Sequence, residues 1–206
     1  MITEQEIQEA LIWRHGKEVQ DKLNAGKVAV AGLGGLGSNV AIALARIGVG
    51  HLHLIDFDRV DITNLNRQQY FIRQIGMDKT KALSEILKEI NPYLHIVTDC
   101  VKVTENNLRE LFAEENIICE AFDVPEAKAM LVNGILEAFP EKYIVSASGM
   151  AGYGFSDEIQ TRKITEHFYL CGDGHRESKP GCGLMAPRVA LCAAHEANLI
   201  TELLMK

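Results

Sequence analysis

Three glycines stand between a short apolar run and a helical pattern in KVAVAGLGGLGSNVAIALARIGVG, residues 27 to 50. Gly32, Gly34 and Gly37 have the spacing G-x-G-x-x-G. In this spacing the first glycine permits a tight turn, the second lets the backbone approach a phosphate, and the third allows a helix to pack closely on a strand. The first N–H groups of the helix lack partners within it and bind anions. The pattern therefore predicts a nucleotide site, and its usual ligands are nicotinamide and flavin dinucleotides.

A group of carboxylates, amides and cations follows the next apolar run, HLHLID. Asp56 ends this run 19 residues after Gly37, where a carboxylate commonly binds a ribose hydroxyl. The polar residues downstream are Asp58, Asn64, Arg67, Gln68, Arg73, Lys79 and Lys81. A dinucleotide pyrophosphate is largely satisfied by helix N–H groups, whereas a triphosphate with a metal ion requires several cations and a carboxylate. This set of polar residues therefore favours ATP as the ligand. The alternative, which applies above all to Arg73 and Lys81, is that the residues bind nothing and belong to a solvated loop that leads into a basic helix face.

Hydrophobic periodicity indicates the elements that position these residues. Apolar runs typical of strands alternate with helical patterns such as DKTKALSEILKEI, ENNLRELFAEE and PEAKAMLVNGILEAF. The strand-like runs are KVAVA, HLHLID, HIVTDCV, NIICEAF and YIVSAS. The alternation predicts an α/β fold with a Rossmann-like, doubly wound, mostly parallel sheet and a C-terminal extension that ends in a long helix.

The chain has no repeat or low-complexity linker, and we predict a single nucleotide-binding domain over residues 1–206. Residues 1–26 would form an N-terminal helix, which Thr3 and Glu6 open at capping-box spacing. Residues 27–148 would form the Rossmann-like core. Residues 149–206 would add the strand EIQTRKI, the loop CGDGHRESKPGCG and a helix from about Leu184 to Leu204, which is apolar enough to take part in a dimer.

The bulk composition excludes some classes of partner. The net charge of −7 and the pI near 5.5 argue against nucleic acid or an anionic membrane as the main partner, since both require clustered Lys and Arg. We expect a cytoplasmic protein, because no apolar run would span a bilayer and the first residues are acidic. An odd number of cysteines without a Cys-x-x-Cys pair favours reduced thiols. Cys100, Cys119 and Cys192 are predicted to pack in the core, since they lie in apolar runs.

Several spaced motifs resemble the ThiF/MoeB adenylyltransferase superfamily, which includes ubiquitin-activating enzymes. They are GLGGLGS, DFDRVDITNLNRQ, GMDKTKA, AFDVPEAK and APRV, in that order over residues 27 to 204. The runs ASGMAGYG, YLCGDG and GLMAPRVALCAAHEANL are most similar to the short ThiF family 2 proteins, which are associated with thiamine biosynthesis. The resemblance implies that the C-terminal glycine carboxylate of a ubiquitin-like carrier attacks the α-phosphate of ATP to give an acyl-adenylate and pyrophosphate.

The resemblance also implies roles for individual residues. Asp56 would bind the ribose, and Asp58 would lie near the α-phosphate. Asp123 would hold Mg²⁺; its alternative role is that of a helix N-cap before Pro125. The remaining nucleotide-binding positions are Gly32, Gly34, Gly35 and Gly37 in the turn, and Asn64, Arg67, Gln68 and Lys79 beyond it. Arg67, Lys79 and Asp123 would be the catalytic residues.

Arg14 resembles an N-terminal arginine that reaches the partner's triphosphate in a family homodimer, which implies a catalytic role in trans. The surrounding run IWRHGKE departs from the family pattern, so an exposed helix arginine is the alternative. Lys128 stands where many relatives have arginine; it keeps the charge but not the planar guanidinium.

The cysteines depart from the larger relatives, which carry two Cys-x-x-Cys pairs for structural zinc. This chain has neither pair, and Cys171, His175 and Cys182 supply only three candidate ligands at unusual spacing, so we predict no structural zinc. Cys182 lies near the position where some relatives form a covalent bond to the carrier. Its glycine neighbours suit an exposed thiol, which makes it a further candidate catalytic residue.

We predict that the chain adenylates a small ThiS-like sulfur carrier ending in Gly-Gly in thiamine thiazole biosynthesis. Other acceptors, a molybdopterin carrier or a tRNA base, would keep the same chemistry; the acidic charge weakens the tRNA version. An NAD-dependent oxidoreductase would use the glycines and Asp56 but leave Asp58, Arg67, Lys79 and Asp123 without a role. A nucleotide-binding scaffold without catalysis is disfavoured for the same reason.

Overall fold

The computed structural model describes residues 2–206 and contains a seven-stranded sheet with helices on both faces. The strands are β1 (Lys27–Ala31), β2 (His51–Ile55), β3 (His95–Asp99), β4 (Ile117–Glu120), β5 (Tyr143–Ala147), β6 (Gln160–Lys163) and β7 (Phe168–Gly172). The helices are α1 (Glu4–His15), α2 (Lys17–Ala25), α3 (Gly35–Arg46), α4 (Lys79–Ile90), α5 (Leu108–Leu111), α6 (Pro125–Ala138) and α7 (Ala186–Leu204). Strand order is β3-β2-β1-β4-β5-β7-β6, and only β6 pairs antiparallel. The predicted doubly wound, mostly parallel sheet is confirmed.

The central strands are buried on both sides, as their continuous apolar sequences require. One core lies between the sheet and α3, α4 and α7, with Val40, Leu44, Leu83 and Ile200 among its fully buried side chains. A smaller core lies on the other face against α5 and α6, around Phe112, Leu131 and Ile135. The long helix α7 packs along α3, so the C-terminal extension completes the layer that holds the glycine turn.

Two predicted elements differ from the structure, and one strand was not predicted. The N-terminal helix begins with the predicted capping box at Thr3 and Glu6, but it is divided at Gly16, whose φ of +84° favours glycine and ends α1. The predicted helix at ENNLRELFAEE is only the short α5, which ends at Phe112 in the core. The strand β7 was not predicted, because its residues run directly into a glycine-rich loop and its strand form depends on pairing with β5 and β6.

The cysteine predictions are partly correct. Cys119 and Cys192 are buried as expected, but Cys100 is exposed just after β3, at the edge of the sheet. Within residues 2–206 no helix combines the length and apolar character that crossing a bilayer requires.

Glu196 of α7 places a carboxyl group in the hydrophobic core of the protein. It is fully buried, its Oε2 has no hydrogen-bond partner, and the Cys119 thiol lies 4.0 Å from its Oε1. Burial raises the pKa of Glu196 well above its usual range, partly offset by Lys128 and reinforced by Glu120. The folded protein therefore holds this proton more strongly than the unfolded chain does.

We expect Glu196→Gln to stabilise the protein at pH 7.5 but not at pH 4.5. Because the folded pKa of Glu196 is raised, its contribution to stability is intact below the unfolded pKa of about 4.3 and decreases as the pH rises above it. Glutamine has nearly the same shape as glutamate but carries no charge, so Glu196→Gln removes this loss of stability. Tm at pH 7.5 should rise by about 3 °C, the shift that about 1 kcal/mol produces in a domain of this size. Thermal unfolding of both proteins from pH 4.5 to 8 measures the difference. A constant difference across this range would show that folding does not raise the pKa of Glu196.

Candidate active site

The candidate site lies at the carboxyl ends of β1, β2 and β4. Strand β1 pairs with β2 on one side and with β4 on the other, so the order of the sheet reverses there. In open α/β sheets this reversal leaves a crevice in which ligands bind. The loops after the three strands carry most of the predicted site residues.

The glycine turn, residues 32–37, connects β1 to α3. Gly32 has a φ of +91°, and a β-carbon there would meet the carbonyl oxygen of Ala121 at 2.7 Å. A β-carbon at Gly37 would overlap the carbonyl oxygen of Gly32. Gly34 is the N-cap of α3, and a β-carbon there would meet only the side-chain amide of Gln68, at 3.7 Å. Gly32 and Gly37 are therefore required by the backbone, whereas Gly34 leaves open space above the helix start.

Asp56 and Tyr70 hold the glycine turn in place. Oδ2 of Asp56 accepts the N–H of Leu33 at 2.7 Å, and Oδ1 accepts the N–H of Asp58 at 2.7 Å. The Tyr70 hydroxyl donates to the carbonyl of Leu33 at 2.8 Å, and burial, followed by the two nearby aspartates, raises the pKa of Tyr70. Tyr70, which lies two residues beyond the family motif that ends at Gln68, was not predicted from the sequence. The predicted ribose ligand thus also shapes the turn.

Lys79 is the first residue of α4 and its side chain points back towards the end of β2. Its Nζ lies 2.8 Å from Oδ2 of Asp58 and 3.9 Å from Oδ2 of Asp56. The Lys79 side chain is 7% exposed, whereas that of Asp58 is 50% exposed. The N–H of Lys79 donates to the carbonyl of Asp58 at 3.0 Å, which fixes the start of α4 to the strand end. One buried cation therefore faces a carboxylate that is open to a ligand.

Arg67 and Gln68 lie beside the first turn of α3. The Cγ of Arg67 would lie 3.3 Å from a β-carbon at Gly35, so this side chain runs along the helix start. Its Nη1 donates to Asn66 Oδ1 at 2.9 Å, but its buried Nε has no partner, nor does the buried Oε1 of Gln68. Buried polar atoms without partners are costly in a protein interior, so both point to a polar ligand.

The other predicted phosphate and metal ligands are exposed or already bonded to neighbouring residues. Asn64 uses its Oδ1 to accept the N–H of Asp61 at 3.1 Å, so only its amide nitrogen is left for a phosphate. Asp123 is exposed in the loop after β4. The N-cap of α6 is Val124 without a side-chain hydrogen bond, so the alternative role of Asp123 as the cap is wrong. Arg73 and Lys81 are exposed, and Arg73 pairs with Glu89 at 3.7 Å.

The residues fit a nucleoside triphosphate with a divalent cation. The N–H groups at the start of α3, which Gly34 leaves open, the unpartnered Nε of Arg67 and the buried ammonium of Lys79 supply donors for phosphate oxygens. The unpartnered Oε1 of Gln68 is an acceptor, and it suits a hydroxyl or N–H group of the ligand. Asp58 and Asp123 supply carboxylate oxygens, which Mg²⁺ prefers as ligands. These assignments of individual residues remain predictions.

The three candidate zinc ligands are not grouped. Cys171 is buried on β7 with its thiol beside the Thr161 hydroxyl, and burial raises its pKa to about 12. The half-buried Cys182 lies against Gly152 instead, where its Sγ would be 3.1 Å from a β-carbon. Over residues 2–206 the metal-type ligands that do lie within 4.8 Å of one another are Glu158, Asp173 and His175. Arginines already neutralise this group: Arg188 lies 2.5 Å from Asp173, and Arg176 lies 3.1 Å from Glu158.

Arg14 belongs to the N-terminal helices and not to the loops that carry the candidate site. It is exposed on α1 and stacks on Trp13 at 4.5 Å. The N-terminal helices pack at the amino ends of the central strands, opposite the carboxyl ends that carry the candidate site; there the Gln20 amide donates to the carbonyl of Gly48, just before β2, at 3.3 Å. Within residues 2–206, Arg14 makes no hydrogen bond or ion pair with a predicted site residue, and its catalytic role in trans stays a prediction.

We expect Gly34→Ala to weaken ATP binding about 10-fold, or about 1.4 kcal/mol. The added methyl group would occupy the space through which a phosphate approaches the helix N-terminus. Tm should fall by no more than about 4 °C, since the only cost to the fold is a poorer N-cap residue. Calorimetric titration with ATP and thermal unfolding separate the two effects. A large fall in Tm accompanying the loss of binding would contradict the open space above Gly34.

Comparisons with known proteins identify the family and the fold of the chain. The sequence pattern of the ThiF family matches residues 8–206. A molybdopterin-synthase adenylyltransferase of Haemophilus influenzae is 37% identical over 113 residues, which are 54% of this chain and 46% of that protein. The adenylyltransferase and sulfurtransferase UBA4 of Candida glabrata is 34% identical over 136 residues, 66% of this chain and 31% of that protein. The chain thus spans less than half the length of these curated relatives.

A solved structure shares the fold over the whole chain. The Escherichia coli tRNA N6-threonylcarbamoyladenosine dehydratase TcdA, in complex with ATP, has a TM-score of 0.88 at 22% identity. The similarity covers 100% of this chain and 97% of that one. It extends through the N-terminal helices and α7 as well as the central sheet.

Proposed function

The chain belongs to the ThiF family, and on that premise we propose that it is an ATP-dependent adenylyltransferase. The observation that carries the proposal is the arrangement around the first turn of α3. Lys79 with Asp58 lies at the end of β2, and Arg67 with its unpartnered Nε lies beside the glycine turn. This is a set of cations and a carboxylate around a helix N-terminus, which suits a triphosphate better than a dinucleotide.

The reaction is the attack of an acceptor carboxylate on the α-phosphorus of ATP, with loss of pyrophosphate and formation of an acyl-adenylate. A carboxylate is already ionised at neutral pH, so the protein needs no strong base. It must instead position the nucleophile and neutralise charge on the phosphates. The N–H groups at the start of α3, Arg67 and Lys79 would bind phosphate oxygens, and Asp56 would bind the ribose. Mg²⁺, held by Asp123 with Asp58 nearby, would offset charge on the leaving pyrophosphate.

For the acceptor, we propose the C-terminal glycine of a ubiquitin-like sulfur carrier that ends in Gly-Gly, of the thiamine type. Support for a Gly-Gly tail, common to the thiamine and molybdopterin types of carrier, comes from the small residues after β5. Gly152 and Gly154 have positive φ and line a cavity of about 110 Å³ together with Pro187 and Leu191. Small residues leave room for an extended glycine tail. The Cys182 thiol lies against Gly152, so it is near the path proposed for the tail and remains a candidate for covalent attachment.

A molybdopterin-type carrier is the second candidate acceptor, and the Haemophilus relative favours it by name. Both acceptors would use the same site, because each presents a terminal carboxylate. An NAD-dependent oxidoreductase is less consistent with the site, since it gives no role to the Lys79–Asp58 pair or to Arg67.

ATP–pyrophosphate exchange tests the proposal. We expect exchange to require a carrier ending in Gly-Gly and to be lost when its last glycine is removed. Thiamine-type and molybdopterin-type carriers, compared at equal concentration, identify the preferred acceptor. A parallel titration with NADH is the control. Tight NADH binding without exchange in the presence of either carrier would refute the adenylyltransferase function.

We also propose a homodimer in which Arg14 of each chain reaches the nucleotide of its partner. Arg14→Ala and Lys79→Met should each be inactive alone. After mixing and subunit exchange, about a quarter of wild-type activity should return, because half of the dimers would be mixed and each would contain one intact site. Light scattering measures the dimer, and exchange activity measures the recovery. Failure to recover activity from demonstrably mixed dimers would leave Arg14 as an ordinary exposed helix arginine.

A further inference from the structure

A buried carboxylate ends β4, three residues before Asp123. Glu120 is fully buried and accepts a hydrogen bond from the Ser146 hydroxyl of the neighbouring strand β5. Its Oε1 also accepts the N–H of Phe122 at 2.7 Å. Lys128 of α6 lies 3.1 Å from Oε1 and 2.9 Å from Oε2, so the buried charge is neutralised by a partner on a different element.

Lys128 also binds the main chain of the loop that follows β4. Its Nζ donates to the carbonyl of Phe122 at 2.9 Å, while Glu120 accepts the N–H of the same residue. The two peptide groups that flank the α-carbon of Phe122 are therefore both fixed by one ion pair. The second of these peptide groups includes the nitrogen of Asp123. The direction in which Asp123 leaves the strand is thus set by the Glu120–Lys128 pair.

The same loop touches the glycine turn. A β-carbon at Gly32 would lie 3.0 Å from Cδ1 of Phe122 and 2.7 Å from the carbonyl oxygen of Ala121. The N–H of Ala121 donates to the carbonyl of Ala31 at 2.8 Å. The Asp123 loop and the glycine turn are therefore in direct contact, and a shift in one would displace the other.

We propose that Glu120 and Lys128 are positioning residues that hold Asp123 in register with the glycine turn for adenylation. The inference rests on the proposed function of the site. Neither side chain has to touch the substrate, because both act through the two peptide groups of Phe122. Glu120 is fully buried, whereas the Lys128 side chain is 21% exposed, so the ion pair lies at the border between the core and the loop.

Lys128→Met and Lys128→Arg test the proposal, with Glu126→Gln as the matched control in the first turn of the same helix, where the residue is exposed. We expect Lys128→Met to lower ATP–pyrophosphate exchange at saturating ATP about 30-fold, less than the 100-fold that a displacement of about 1 Å can cause. The dissociation constant for ATP should change less than about 2-fold, since the donors of the glycine turn remain. Lys128→Arg should recover exchange to within about 3-fold of wild type, because the charge and donors are kept.

Hydrogen–deuterium exchange of the protein without nucleotide gives a second readout. Residues 120–124 should exchange faster in Lys128→Met than in wild type, while the Glu126→Gln control should match wild type. Lys128→Met leaves Glu120 buried without its cation and could fail to fold. The double variant Glu120→Gln with Lys128→Met removes both charges, and it should fold and still show slow adenylation.

The outcomes separate the two proposals. If wild-type protein shows no carrier-dependent exchange, adenylation fails and the positioning role fails with it. If wild type is active and the folded double variant is equally active, only the positioning role is overturned. A loss of ATP binding as large as the loss of exchange would also overturn it, because the pair would then support the nucleotide site as a whole.

Discussion

Replacing Lys79 with methionine is expected to lower ATP–pyrophosphate exchange about 100- to 1,000-fold, the effect of removing one preorganised charge donor from an active site. Lys79 is nearly buried, and its Nζ lies 2.8 Å from Asp58 and 3.9 Å from Asp56. Without the ammonium group, two carboxylates would face the phosphates of ATP with no cation between them. Like charges at that distance repel the nucleotide and raise the barrier to attack at the α-phosphorus.

Lys81→Met is the matched control, since Lys81 lies two residues further along α4 and is exposed. It makes the same change in charge and should leave exchange within about 2-fold of wild type, because an exposed charge is screened by solvent. Tm of Lys79→Met should fall by about 4 °C or less, as Asp58 is half exposed and can be solvated. Equal activity of the two variants would exclude Lys79 from the reaction.

Gly37→Ala is expected to destabilise the fold by more than about 4 kcal/mol, which places it among the largest effects of single substitutions. A β-carbon at this position would overlap the carbonyl oxygen of Gly32, and the Cγ1 of Val30 would lie only 3.0 Å away. Both neighbours belong to β1 and the turn after it, which cannot move without displacing the central strand. Tm should therefore fall by at least about 10 °C, if soluble protein is obtained.

Gly183→Ala is the control for this prediction, because a β-carbon there would have no neighbour within 4 Å. Its stability should lie within about 0.5 kcal/mol of wild type. Urea denaturation of both variants gives the free energies of unfolding. A Gly37→Ala protein with wild-type stability would mean that helix α3 can move away from β1, which the packing of α3 between β1 and α7 argues against.

Local spacing made much of the site predictable. The glycine turn, Asp56 at the end of β2 and Lys79 at the start of α4 are all positions that short-range rules place at element ends. The requirement for glycine at Gly37 was also predicted, because close helix–strand packing follows from the motif itself. The division of the N-terminal helix at Gly16 was missed, since a single glycine within a helical pattern can be tolerated and does not by itself mark the end of a helix.

The sequence by itself determined the alternation of strands and helices in the central sheet, the glycine turn and the polar residues that follow β2. Each of these depends on residues close together in the chain, where apolar periodicity and glycine conformations act directly. Only the tertiary structure decided that Tyr70 supports the glycine turn, that β7 enters the sheet, and that Glu120 and Lys128 hold the loop before Asp123. These features join residues from different elements, and their energy comes from burial and pairing that exist only once the sheet and helices have packed.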